Sequence, residues 1–200
     1  MQTSFRLLGE RRFLPLFITQ FLGAFNDNLF RMAMVVLVTY TILKDPAQEA
    51  GFSALAGALF ILPYFLFSVI SGQLADARDK AKLIRIIKTA EIVIMVAGSI
   101  GLIFHSIPLL LLALFAMGVH STFFGPIKYA ILPQHLEKSQ VLGGTGLVEA
   151  GTYVAILLGT IAGGLLAPQW AALAALGVAI AGRISGHFVP AAPPEAKNVG

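Results

Sequence analysis

Residues Phe13–Leu43 read FLPLFITQFLGAFNDNLFRMAMVVLVTYTIL. The stretch is long and apolar, yet its middle holds Asn26, Asp27, Asn28 and Arg31. About 20 apolar residues span a bilayer as a helix. An ionised carboxylate at that depth costs a few kcal/mol or more and is kept where it faces a partner or a wet cavity. A spanning helix here therefore predicts a polar stripe inside a membrane, with the rest of the chain as the wall around it.

The composition agrees. Of 200 residues, 57% are hydrophobic and 12% charged, against about 25% charged in soluble domains. Mean hydropathy is +0.83. So little charge cannot cover a water-facing surface, so lipid is the expected solvent. The net charge of +4 is explained by cytoplasmic loops rather than by nucleic acid. The absence of cysteine excludes a disulfide framework and Cys-based metal or redox sites. Arg6, Arg11 and Arg12 resemble the basic start of a signal peptide, but the apolar run continues to Leu43 with no small-x-small cleavage site, so this is read as a retained first helix.

Outward from that helix, the same ruler gives six spans: 13–43, 51–75, 83–104, 107–133 (interrupted by Gly125-Pro126), 140–167 and 169–189. The runs are long and lack period-2 alternation, which argues against a β-barrel. Basic residues gather on alternate connections: Arg6, Arg11 and Arg12; then Arg78, Lys80, Lys82, Arg85 and Lys88; then Lys138, with Lys128 just before it; then Lys197, with Arg183 near the last span. The opposite loops carry Lys44 with Asp45 and Glu49, then His105-Ser106, then Pro168-Gln169. The positive-inside rule then places both termini in the cytoplasm. The expected layout is a cytoplasmic segment 1–12, a six-helix bundle 13–189, and a proline-rich linker beginning at 190–200.

On a helix, Gln20, Asp27 and Arg31 fall within about 40° of one another, with Asn28 flanking them. Asp27 and Arg31 are an i,i+4 pair and can neutralise each other; the alternative is that they face a substrate path. Span five carries Glu149 on a polar face with Thr145, Thr152 and Thr160, and its many glycines include Gly159 and Gly163, a GxxxG spacing that lets membrane helices approach closely. Lys128 either snorkels to the interface or stands at a cavity mouth. His120 reads as a packing residue. Glu91 lies one turn from Lys88 and can pair with it. No HExxH, GxSxG, Walker A or CxxC pattern is present, so no enzyme, metal or cofactor site is expected.

Residues 72–82, GQLADARDKAK, resemble the major facilitator superfamily signature between helices two and three. Gly72, Asp76, Lys80 and the neighbouring Arg78 carry the likeness; Ala77 and Asp79 depart from it, standing where a basic residue and a glycine are usual. QFLGAFNDNLFR (20–31), GPIKYAILPQHL (125–136) and GLVEAGTYVAILLGTIAGGLLA (146–167) resemble the lysophospholipid transporter branch of that superfamily. The resemblance implies an all-α membrane protein, the N-terminal six helices of a twelve-helix fold, with the C-terminal half as partner. It implies a lysophospholipid substrate, chiefly lysophosphatidylethanolamine, flipped across the bacterial inner membrane, and acyltransferase domains fused in some members. Asp27, Lys128 and Glu149 would be charged cavity residues, and Gly72, Asp76, Arg78 and Lys80 a lock on the cytoplasmic side. The competing expectations are a proton-coupled transporter of a small polar solute or drug, and a non-transporting assembly subunit.

Overall fold

A computed structural model describes residues 2–43 and 45–194. Lys44 and Lys197, both counted in the loop-charge pattern, lie outside the described residues, as does the proposed linker beyond residue 194. Among the described residues there are six long helices: α1 (Leu14–Leu37), α2 (Pro46–Ala77), α3 (Lys80–Ile103), α4 (Ile107–Ala130), α5 (Lys138–Leu165) and α6 (Pro168–His187). Short turns at Gln2–Phe5, Arg6–Gly9 and Leu132–His135 complete the helical structure.

The helix ends follow local chemistry. Asp45 caps α2, accepting from Ala47 N–H at 3.1 Å with Pro46 at the first helical position. Asp79 caps α3, accepting from Ala81 and Lys82 N–H at 2.9 and 3.1 Å. The residue that departs from the signature glycine thus has a structural task. Glu137 and Gln140 form a reciprocal capping box at α5. Helix α3 closes with Ser106 N–H bonded back to Gly101 C=O at 3.0 Å, which places His105 in the left-handed region at φ 54°. After Leu37, α1 continues through a wider turn, Val38–Ile42, where Leu43 N–H reaches Val38 C=O.

Helix α1 is the centre of the bundle. It packs along α5 on one side and α6 on another; α3 joins α6 and α4, and α4 joins α2. The α1–α5 seam depends on absent side chains. A Cβ on Gly159 would collide with Phe25 O, and one on Gly163 with Leu29 O. Large apolar side chains also face outward: on α2, Phe65 is 81% exposed and Val69 70%. A surface of this kind suits lipid or another apolar partner, not water.

Among the described residues, five helical segments are long and apolar enough to cross a membrane: Leu14–Ile42, Pro46–Ala77, Lys80–Ile103, Ile107–His135 and Lys138–Leu165. The chain is a multi-pass membrane protein. Helix α6 has 20 residues and is not among them; Gln169, Arg183 and His187 lower its apolarity.

Two expectations need correction. The Gly125-Pro126 pair does not interrupt its span, since α4 runs unbroken to Ala130 with Pro126 inside it; proline is tolerated within membrane helices where neighbours satisfy the freed backbone groups. Lys80, Lys82, Arg85 and Lys88 are not loop residues but lie on the opening turns of α3. Lys88 is buried, because Glu91 one turn on supplies a counter-charge.

Residues Val189–Pro194 lie against the bundle end. Lys80 N–H donates to Ala192 O at 2.9 Å, Gln134 Nε2 to Pro193 O at 3.2 Å, and Val189 and Ala192 are buried.

Candidate functional site: a charged cavity between α1, α2, α4 and α5

The polar stripe of α1 opens onto a cavity of about 370 Å³. Gln20, Asp27, Asn28 and Arg31 line it from α1, and Phe60 and Tyr64 from α2. From α4 come His120, Ser121 and Lys128 with Phe124 and Tyr129, and from α5 Thr152 and Ile156. A smaller cavity of about 200 Å³ shares Asn28 and Arg31 and continues between Met32, Val35, Ala56, Gly57 and Thr160. Heptad-like spacing on α1 is what collects the stripe: residues seven and eleven apart return to one face of a helix.

Asp27 and Arg31 do not pair with each other. Ser121 Oγ donates to Asp27 Oδ2 at 2.5 Å, while Arg31 Nη2 donates to Asn28 Oδ1 at 2.7 Å and its guanidinium sits 5.5 Å from the Phe60 ring centroid. The i,i+4 spacing allows the pair, but partners on α4 and α2 are available and each charge takes its own. Both charges therefore remain directed at the cavity instead of closing on one another.

Gln20 is held through its carbonyl, which accepts from Thr152 Oγ1 at 2.8 Å. Lys128 lies 4.8 Å from the Tyr129 ring centroid and lines the cavity. Glu149 does not line it; it accepts from the hydroxyl of Tyr129, which does. The cavity thus presents one carboxylate, Asp27, against two cations, Arg31 and Lys128, with a second carboxylate behind Tyr129.

The signature residues are elsewhere. Asp76 and Arg78 are exposed at the end of α2, Gly72 has open space where a side chain would stand, and Lys80 is buried at the start of α3. Among the described residues, no ion pair joins Asp76 to Arg78 or Lys80.

Several polar residues at or near the site were not legible beforehand. Ser121, Tyr64 and Tyr129 have no pattern that marks them. The Lys88–Glu91 pair was signalled by its i,i+3 spacing inside an apolar run, but its contact with His120 across helices was not. Among the described residues no cluster of His, Cys, Asp and Glu could hold a metal ion.

A profile of the Major Facilitator Superfamily matches residues 16–200. The chain belongs to the major facilitator superfamily. Among curated proteins it is similar to the "Lysophospholipid transporter LplT" of Salmonella newport (strain SL254), Salmonella heidelberg (strain SL476) and Salmonella agona (strain SL483). Each is 32% identical over 187 residues, covering 92% of this chain and 44% of the relative. The chain therefore spans less than half the length of these relatives. No solved structure gives a significant match. The resemblance read from residues 20–31, 72–82, 125–136 and 146–167 is borne out at the level of the superfamily, and the curated relatives to which the chain is similar are named as lysophospholipid transporters.

Proposed function

We propose that this chain forms the six-helix N-terminal half of a bacterial inner-membrane transporter that flips lysophospholipids by alternating access. In this reading all six long helices span the membrane, both ends of the segment face the cytoplasm, and a second six-helix half closes the path. The observation that carries it is a cavity inside an apolar bundle lined by Asp27, Arg31 and Lys128 together, combined with the likeness to the Salmonella transporters.

The chemistry fits the substrate class. A lysophospholipid head is zwitterionic or anionic, and its single acyl chain needs only apolar surroundings. Asp27 attracts a head-group ammonium; Lys128 or Arg31 attracts the phosphate, Arg31 with the planar fork that matches phosphate oxygens. The smaller cavity beyond Arg31, walled by Met32, Val35 and Ala56, takes the beginning of the acyl chain. Rocking this bundle against its partner half exposes the cavity to either side in turn. Residues Gly72, Asp76, Arg78 and Lys80 act at the cytoplasmic end, where they lock one of the two states. A linked or separate acyltransferase consumes the delivered lipid.

The test is lysophospholipid uptake by this six-helix half together with its second half, with Asp27→Asn in the first. Asparagine still accepts from Ser121 and keeps the volume, so the protein folds, while the charge is gone. Uptake falling at least tenfold with unchanged expression supports the reading; uptake at the wild-type rate removes Asp27 from the path. Indifference of wild-type uptake to a collapsed pH gradient separates this reading from a proton-coupled solute carrier.

A further inference from the structure

Two arginines stand on the outer side of the bundle, in the seam where α3 begins and α6 ends. Arg85 lies between one and two turns into α3, and Arg183 about one turn before the end of α6. At the rise of an α-helix, each is roughly 6–8 Å inside its helix end. Both are half-buried. Thr89 joins them: its hydroxyl donates to Arg85 O at 2.8 Å and accepts from Arg183 Nε at 2.8 Å. Arg85 Nη2 reaches only the carbonyls of His187 and Val189, each at 3.4 Å. Among the described residues neither guanidinium forms an ion pair.

A basic side chain near a helix end commonly does no more than reach for water. Two observations set this pair apart. The bond from Nε to Thr89 holds the Arg183 guanidinium in the seam, while its two amino groups have no partner among the described residues. The surface beside the pair is apolar and stays so toward the middle of the bundle. On α3, Ile86 is 65% and Val93 66% exposed, followed by exposed Val96 and Ile100; on α6, Ile184 and Ile180 are exposed. Cations without a counter-ion, then a long apolar strip, match the order of groups in a membrane lipid, phosphate first and acyl chains below it.

We propose that Arg85 and Arg183 bind the phosphate of an anionic diacyl phospholipid of the surrounding bilayer, with Thr89 as the positioning residue. The proposal rests on the reading above that α6 spans the membrane beside α3, and not on which substrate is carried. Guanidinium groups stay charged and offer paired N–H donors that suit phosphate oxygens. Basic pockets between membrane helices near the bilayer surface favour anionic heads. A zwitterionic head brings an ammonium of its own beside the two cations, which offsets the attraction of its phosphate; a glycerol head brings none. The lipid bound here is not the cargo. The central cavity is lined from α1, α2, α4 and α5, whereas this lipid fastens the outer seam of α3 and α6.

The experiment titrates phosphatidylglycerol and phosphatidylcholine of identical chains onto this six-helix half together with its second half, and reads the first lipid bound by native mass spectrometry. Two cations facing an anionic head correspond to roughly tenfold tighter binding of phosphatidylglycerol or more. Arg85→Gln with Arg183→Gln brings the ratio toward one. Arg11→Gln with Lys138→Gln removes the same charge from exposed positions elsewhere and keeps the ratio. Thr89→Val retains both cations and guards against misfolding of the arginine variant; it lowers the ratio by about threefold or more, and Thr89→Ser restores it. A wild-type ratio near one, an unchanged ratio in the arginine variant, an equal loss in the Arg11/Lys138 variant, or an unchanged ratio in Thr89→Val would each overturn the proposal. Gly177→Cys on α6, where a side chain meets open space, separates this from the spanning reading when it is the protein's only cysteine. Labelling of that thiol by a water-soluble maleimide in membranes overturns the spanning of α6 and the proposal with it. Protection of the thiol with no lipid preference overturns the proposal alone.

Discussion

Replacing Gly159 with alanine adds one carbon where α1 and α5 touch. That carbon meets Phe25 O, lies 3.1 Å from Phe25 C and 3.2 Å from Leu29 N, all backbone atoms that cannot rotate away. The two helices must part, and the overpacking costs about 1–3 kcal/mol. Alanine also gains up to about 1 kcal/mol over glycine in helix propensity, which masks part of the loss. Gly146 on the same helix separates the two effects, because nothing lies within 4 Å of its Cβ position. Gly146→Ala therefore takes the propensity gain without the clash. The difference between the variants, about 1–3 kcal/mol against Gly159→Ala, isolates the cost of pushing the seam apart. Unfolding in mixed micelles of a mild detergent and dodecyl sulfate, followed by circular dichroism, measures it. Equal midpoints for the two variants would refute the claim that this seam is set by backbone contact. Gly163→Ala meets Leu29 O and Met32 in the same seam, so the double variant will not lose the sum of the two.

Glu91→Ala leaves Lys88 buried without a counter-charge and should destabilise the bundle by about 3–5 kcal/mol, most of it recovered by adding Lys88→Met; the same unfolding assay reads both. Asp79→Ala removes the cap of α3 and should cost about 1 kcal/mol, with Asp79→Asn close to neutral. His105 occupies a left-handed position, so His105→Gly should leave stability unchanged or raise it by up to about 1 kcal/mol; a clear loss would mean that the His105 side chain makes a contact of its own. Lys128→Met should weaken uptake of lysophospholipids with an anionic head more than of zwitterionic ones, read as a change in relative KM.

The helices were legible because length and hydropathy are local. From Phe13 onward the apolar runs lay within a few residues of α1 to α6, and the stripe Gln20, Asp27, Asn28, Arg31 followed from helical geometry alone. Four of these residues do line one cavity. Loop charge was less reliable. Lys88 looked like part of a basic connection, since a sequence shows a lysine's charge and not its counter-ion's position. Glu149 was grouped with the cavity acids by resemblance, yet it stands behind Tyr129, a distinction of one side-chain length.

By itself, then, the sequence determined the membrane solvent, the number and extent of the long helices, and which face of α1 is polar. Each depends on residues close together in the chain. Tertiary structure decided the partners: Ser121 for Asp27, Asn28 and Phe60 for Arg31, and the meeting of Asn26, Lys88, Glu91 and His120 around one carboxylate. Ion pairs and hydrogen bonds act over a few ångströms, and which groups come that close is fixed only when six helices choose their neighbours.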